Sequence, residues 1–152
     1  MSLLLVVALL FFSSSCSVSS HQYYVSDDCS SVTHTPCNPL SVYAEDISQY
    51  NNIIFYFIGT SDINTDVNLT AVRNVTLHGL DQSCLVSSRS HRRSIHIHNS
   101  NHVVFSNMSV YNVGVMARSS NNITITNSLF IGTTALKKTP FSIELNNVFD
   151  IK

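Results

Sequence analysis

Few residues in this chain have the types and spacing that chemistry requires. His96 and His98 stand two apart in Ser94-Ile95-His96-Ile97-His98. On a strand, alternate side chains share a face, so the two imidazoles could supply half of a zinc site. The loop from Ser87 to Ser94 carries Arg89, Arg92 and Arg93, three of the eight basic residues, and such a set can grip sulfated or uronic glycans through bidentate contacts. Carboxylates occur as Asp27-Asp28 and as Asp62 and Asp66 within one turn. The four thiols are Cys16, Cys29, Cys37 and Cys84. Asn68-Leu69-Thr70, Asn74-Val75-Thr76, Asn107-Met108-Ser109 and Asn122-Ile123-Thr124 read as acceptors for N-glycosylation. What these groups can do depends on the elements that hold them and on what lies beside each in space.

Those elements follow from a phrase that the chain repeats. The stretches starting at Ile95 and Val115 align without a gap at an offset of 20 residues, and an earlier copy starts at Val67, 28 before the first. Stacking the copies gives the apolar columns Val67/Ile95/Val115, Leu69/Ile97/Ala117, Val75/Val103/Ile123 and Leu77/Phe105/Ile125, with mostly polar residues between. A period of two marks strands with one buried face. A unit of this size cannot bury that face alone, and no helix-length apolar segment separates the copies. The strands are therefore expected to pair in parallel, coil on coil, with right-handed connections. The expected fold is all-β, a right-handed parallel β-helix of about three to four coils. At its turns Asn101 and Asn121 align, with Asn146 or its neighbour next, as an asparagine ladder, and Gly79, Asn107 and Asn127 align at a corner needing φ > 0.

In that stack the chemical groups lose most of their neighbours. The coils beside His96 and His98 offer Asn68 and Thr70 on one side and Met116 and Arg118 on the other. No third strong ligand is in reach, so the pair reads as two solvent-facing residues, and neither metal nor cofactor is expected. Nothing acidic aligns with Asp62 and Asp66 in the next two coils. The arginine loop also reads as a solvated insertion that lengthens its coil. Sequons arise readily where turns hold Asn and strands hold Thr, although Asn74 and Asn122 share an outward column where a glycan fits.

Residues 1–20 read as a secretory signal, with the apolar run Leu3 to Phe12 followed by small residues, too short to span a bilayer. Export makes the compartment oxidising, and Cys29 and Cys37 bracket a short loop that a disulfide would close. Cys84 is then odd, either a thiol inside the stack or a partner for a cysteine elsewhere. Residues 21–50 are expected to cover the open end of the first coil. Asn38 as N-cap and Pro39 at the first helical position would start one amphipathic helix of about ten residues, with Leu40, Tyr43, Ala44 and Ile47 inward. Residues 51–152 form the coils. Eight basic residues against nine acidic ones leave no field for a polyanion, and nucleic acid is not suggested.

Phe55-Tyr56-Phe57-Ile58-Gly59-Thr60, Asn74-Val75-Thr76-Leu77-His78-Gly79 and the repeated Asn-Asn-Ile-Thr-Ile phrase together resemble the pectin-lyase-like right-handed β-helix superfamily. Within it the chain is similar to large secreted β-helix proteins of invertebrate animals. The resemblance covers Tyr23 to Lys152 and implies the fold; that superfamily hosts lyases, hydrolases, adhesins and binding proteins alike. Its polygalacturonases carry Asn-Thr-Asp, then Asp-Asp, then His-Gly, then Arg-Ile-Lys. Here Asn64-Thr65-Asp66, Asp27-Asp28, His78-Gly79 and Ile151-Lys152 occur, but Asp27-Asp28 comes first and no Arg precedes Ile151. The match implies no assembled catalytic set.

Phe141 to Lys152 begins a fourth copy at an offset of 25 or 26 and stops within its second strand, so the chain reads as incomplete at its C-terminus, with a last coil that would stack on further coils. Two functions stay open. One is a secreted, non-catalytic extracellular module binding carbohydrate or a cell-surface partner. The other is the N-terminal part of a polysaccharide lyase or glycoside hydrolase whose site lies in further coils.

Overall fold

The computed structural model describes residues 20–87, 93–131, 143–146 and 149–151. Alternation of apolar and polar residues sets its architecture: parallel strands in a curled sheet, compatible with a β-helix. The first strand column holds β1 (His21–Val25), β2 (Cys37–Asn38) at the edge, and the start of β3 (Asn51–Ile63). After the third-column strand β4 (Val67–Thr70), β5 (Arg73–Ser87) returns beside β3. Then β6 (Arg93–His98) pairs with β4, β7 (Asn101–Ser106) with the first half of β5, and β8 (Ser109–Tyr111) with its second half. The next pass repeats the order with β9 (Val113–Arg118), β10 (Asn121–Thr126) and β11 (Leu129–Ile131), followed by β12 (Ile143–Asn146) and β13 (Phe149–Ile151). Every registered pairing is parallel.

The register matches the apolar columns. Val67 pairs with Ile95 and Ile95 with Val115, while Leu69, Ile97 and Ala117 line up two residues on. In the first column Ile53, Val75, Val103 and Ile123 form one buried row, and Phe55, Leu77 and Phe105 another that ends on half-buried Ile125. The final copy sits 28 residues after the previous one, since Ile143 pairs with Val115. The expected offset of 25 or 26 was too short. With the true register, Asn146 lies beside Arg118 in the third column, and Asn121 sits between Asn101 and Phe149. Asn146 therefore does not extend the row of Asn101 and Asn121.

The corners are built from left-handed residues and inward hydroxyls. Asn52, Asn74, His102 and Asn122 have φ of 58, 53, 58 and 53° at one corner, and Ala71, Asn99 and Ser119 take φ of 59, 49 and 50° at another. Asn tolerates this region; for Ala, His and Ser it costs about 1–2 kcal/mol each, which the fixed register must offset. Inside the second corner, buried Ser100 and Ser120 stack. The Ser100 hydroxyl accepts from Val72 N–H at 3.2 Å, and the Ser120 hydroxyl accepts from Ser100 N–H at 3.1 Å. Asn107 and Asn127 take φ of 56 and 47° as expected, but Gly79 does not share that conformation; the positive-φ glycine is Gly59 at 66°. Gly79 is needed for space instead, because a Cβ there would overlap the Asn107 carbonyl oxygen and the Ser83 hydroxyl.

The N-terminal segment departs from expectation. The helix α1 spans only Leu40–Ala44, and a 3₁₀ turn, Ile47–Gln49, follows it. Pro39 occupies the N-cap position without a side-chain cap bond, while the Asn38 amide donates to the Tyr43 hydroxyl at 3.1 Å. So short a helix draws little from its own hydrogen bonds. What holds it is packing. Leu40, Tyr43 and Ile47 are buried, and Tyr23, Tyr43, Tyr50 and Phe55 form a cluster in which every pair of ring centroids lies within 6.4 Å. A Cys29–Cys37 disulfide, with Cα atoms 5.7 Å apart, ties the preceding loop to β2. No described helix is long and apolar enough to cross a membrane. The signal segment, residues 1–19, lies outside the described residues.

The inward columns should dominate stability. Phe105 is fully buried between Leu77 and Ile125 and meets Phe130 edge-on at 6.2 Å. In urea titrations Phe105→Ala should lose about 3–5 kcal/mol, whereas the outward His96→Ala should stay within about 0.5 kcal/mol. Comparable losses for the two would contradict the register.

Candidate functional site

The outward side chains of the first column carry the most organised polar surface among the described residues. Buried Phe55 and Phe57 flank Tyr56 and turn it to the opposite face of the strand. In register with it lie Tyr24 on β1, His78 on β5, Ser106 on β7 and Thr126 on β10. Tyr24 and Tyr56 stack with centroids 5.5 Å apart, and the exposed His34 stacks on Tyr24 at 4.6 Å. His78 stands edge-on to Tyr56 at 5.7 Å, and its Nδ1 lies 2.8 Å from the Ser106 hydroxyl. A continuous stripe thus crosses four strands, running from ring to ring and ending on a hydroxyl.

Beside this stripe runs a second outward row, with Ile54, Thr76, Val104 and Thr124 in register. Next comes the left-handed corner, whose side chains bond from strand to strand. The Asn74 amide donates to Asn52 Oδ1, and the Asn122 amide meets His102 Nδ1, both at 2.7 Å. Asn52, Ile54, Asn74, Thr76 and His102 line a depression of about 250 Å³ on this face. The surface therefore offers donors, acceptors and apolar patches, repeated at the strand spacing of about 4.8 Å. His78 and Ser106 do form an imidazole–hydroxyl pair, but no carboxylate among the described residues orients the ring, and the strands that carry them are paired in the parallel ladder.

The residues singled out by sequence are dispersed. His96 and His98 project together from β6 with rings stacked at 6.0 Å. Asp66 joins them loosely: its Oδ2 is 3.9 Å from His96 Nε2, and its Oδ1 accepts from Ser94 N–H. Among the described residues no group of three or more His, Cys, Asp or Glu could hold a metal ion. Asp27 accepts the Asp62 N–H at 2.7 Å, and Asp28 accepts from the Ser30 hydroxyl. Hydrogen bonds from Ser30 and Ser31 hold the Asp28 carboxyl below the usual range. These acids brace loops. Arg93 begins β6 beside Val113 with its Nε buried and without a partner. Arg89 and Arg92 lie outside the described residues.

The sequon asparagines differ in their surroundings. Asn68 is exposed on β4, Asn74 and Asn122 are held in the corner column, and the Asn107 amide donates to the Gly79 carbonyl at 2.6 Å. Asn101 and Asn121 lie side by side and exposed. Cys84 is not inside the stack. It faces outward between Thr60 and Ser109 while Ser83 and Leu85 point inward, because two extra residues in β5 shift the register after Leu80. The ring stripe was not anticipated. Its signal was the offset of 22 residues between β3 and β5, which falls outside the repeated phrase.

Partial burial pushes the Cys84 thiol above its ordinary value of 9.0. A thiol whose pKa is raised by folding stabilises the fold below the unfolded pKa, and that contribution is lost as pH rises through the folded value. Stability should therefore decline above about pH 9, and Cys84→Ser should flatten the decline. Iodoacetamide should modify native Cys84 several-fold more slowly than the unfolded thiol at pH 8, while Cys29 and Cys37 stay unmodified until reduced. Equal native and unfolded rates for Cys84 would contradict its half-buried placement.

No protein family, curated protein or solved structure matches this chain.

Proposed function

We propose that this chain is a secreted right-handed parallel β-helix of the pectin-lyase-like type, acting as a non-catalytic extracellular module that binds carbohydrate through the outer face of its first strand column. The observation that carries the reading is the stripe His34–Tyr24–Tyr56–His78–Ser106. Aromatic rings provide large, rigid contact area with a polar handle, and hydroxyl and imidazole groups satisfy sugar hydroxyls in both directions. A face made of strands holds these groups at fixed spacing, so little side-chain entropy is lost on binding. The Cys29–Cys37 disulfide suits an oxidising compartment and so favours export.

The rival reading, the N-terminal part of a polysaccharide-cleaving enzyme, draws on the same fold resemblance. It needs a pair of converging carboxylates, which that reading places in further coils. The binding reading is tested in one experiment. The exported chain is screened on a glycan array, and retained glycans are assayed for cleavage products. Binding without new reducing ends is expected, and Tyr56→Ala should weaken it about tenfold or more without changing the far-ultraviolet spectrum. Cleavage would favour the enzyme, and retention of no glycan would defeat the binding reading.

A further inference from the structure

Resting on the carbohydrate-binding reading, we infer that the glycan taken by this face is an uncharged linear polysaccharide lying along the stacking direction, and not a uronic or sulfated one. The argument is electrostatic first. In the two outward rows of the first column, Tyr24/Tyr56/His78/Ser106/Thr126 and Ile54/Thr76/Val104/Thr124, none is a Lys, Arg, Asp or Glu. The fixed charges of this column lie at its corner: Arg73 sits between Asn51 and Asn101, and Asp150 on β13 falls between the registered pairs Asn121/Phe149 and Ile123/Ile151. Carboxylate and sulfate groups leaving water need charge-assisted donors, for which arginine forks are the usual solution. The stripe and its corner offer amides, hydroxyls and imidazoles in their place.

Geometry supplies the direction. Asn52 and Asn74 are joined by a side-chain hydrogen bond, as are His102 and Asn122, while Tyr56 and His78 meet on adjacent strands. Each strand therefore contributes one corner group and one stripe group, and Ile54, Thr76 and Val104 form the row between. A polymer lying along the stack meets a fresh set of donors and acceptors about every 4.8 Å, whereas one lying across it meets a single set. The methyl groups of the intervening Ile54, Thr76 and Val104 suit the C–H faces of pyranose rings. Such a ligand needs repeated hydroxyl or acetamido groups and no charge, as in linear polymers of neutral hexoses or N-acetylhexosamines.

The test is isothermal titration of the exported chain with neutral hexasaccharides (cello-, xylo- and chito-oligomers) and with polygalacturonate and heparin, between about 50 and 500 mM salt. The inference expects binding of at least one neutral series, with affinity growing with chain length and changing less than about twofold across the salt range. Tyr56→Ala and His78→Ala should each weaken it about tenfold or more, and Arg73→Gln should leave it unchanged. Binding of only the acidic polymers, falling steeply with salt and abolished by Arg73→Gln, would overturn the inference while leaving carbohydrate binding intact. Neutral binding indifferent to both Tyr56→Ala and His78→Ala would overturn the assigned face. Binding of nothing would overturn the inference and the reading beneath it.

Discussion

In-register parallel pairing constrains every other feature of this chain. Side chains alternate across a strand, so a slip of one residue would carry Val75, Leu77, Val103 and Phe105 to the solvent and bring Thr76, His78, Val104 and Ser106 inside. Each fully buried apolar side chain is worth about 1.5–3 kcal/mol, so a slipped strand of two such residues is strongly disfavoured. Once register is locked, corners must turn at fixed places. That is why Ala71, His102 and Ser119 accept positive φ, and why Ser100 and Ser120 sit buried with their hydroxyls on backbone groups. The local cost at each corner is small against the rows it keeps aligned.

The same constraint creates the outer face. A side chain cannot be buried on one strand of a row without its registered neighbours being buried too, and the converse holds outside. Tyr24, Tyr56, His78 and Ser106 are thus brought together by the inward demands of Val25, Phe55, Phe57, Leu77 and Phe105. Their mutual contacts, ring on ring and imidazole on hydroxyl, then fix side-chain positions that exposed residues would otherwise sample freely. Precise placement of polar groups is a by-product of core register, and a binding surface can use it without any dedicated scaffold.

Much of this was legible in the sequence. The rows Val67/Ile95/Val115 and Leu77/Phe105/Ile125 could be written down directly, because burial of both neighbours forces an apolar residue at every copy. The Cys29–Cys37 bridge was readable from loop length. Other features were hidden for physical reasons. The Ser100/Ser120 stack uses a residue type that reads as loop, and its first member is Val72, which contributes only a backbone N–H. Residues of the α1 segment had helical spacing, yet ring packing around Tyr23 and Tyr50, not helix length, fixes their position. Asn146 was misplaced because asparagine content suggested a shorter offset than the third-column pairing of Ile143 with Val115 requires. The stripe escaped notice because β1 and β3 lie before the repeated phrase, where pattern matching has nothing to align.

The most direct test of the register is a labelling scan along β7. Single cysteines at Val103, Val104, Phe105 and Ser106, each in a Cys84→Ser background with the Cys29–Cys37 bridge intact, are exposed to a membrane-impermeant maleimide under native conditions. Val103 and Phe105 are fully buried, while Val104 and Ser106 are only partly so, so modification should alternate: slow, fast, slow, fast. The reverse alternation, or uniform fast labelling of all four, would contradict the paired register and with it the outer face built upon it.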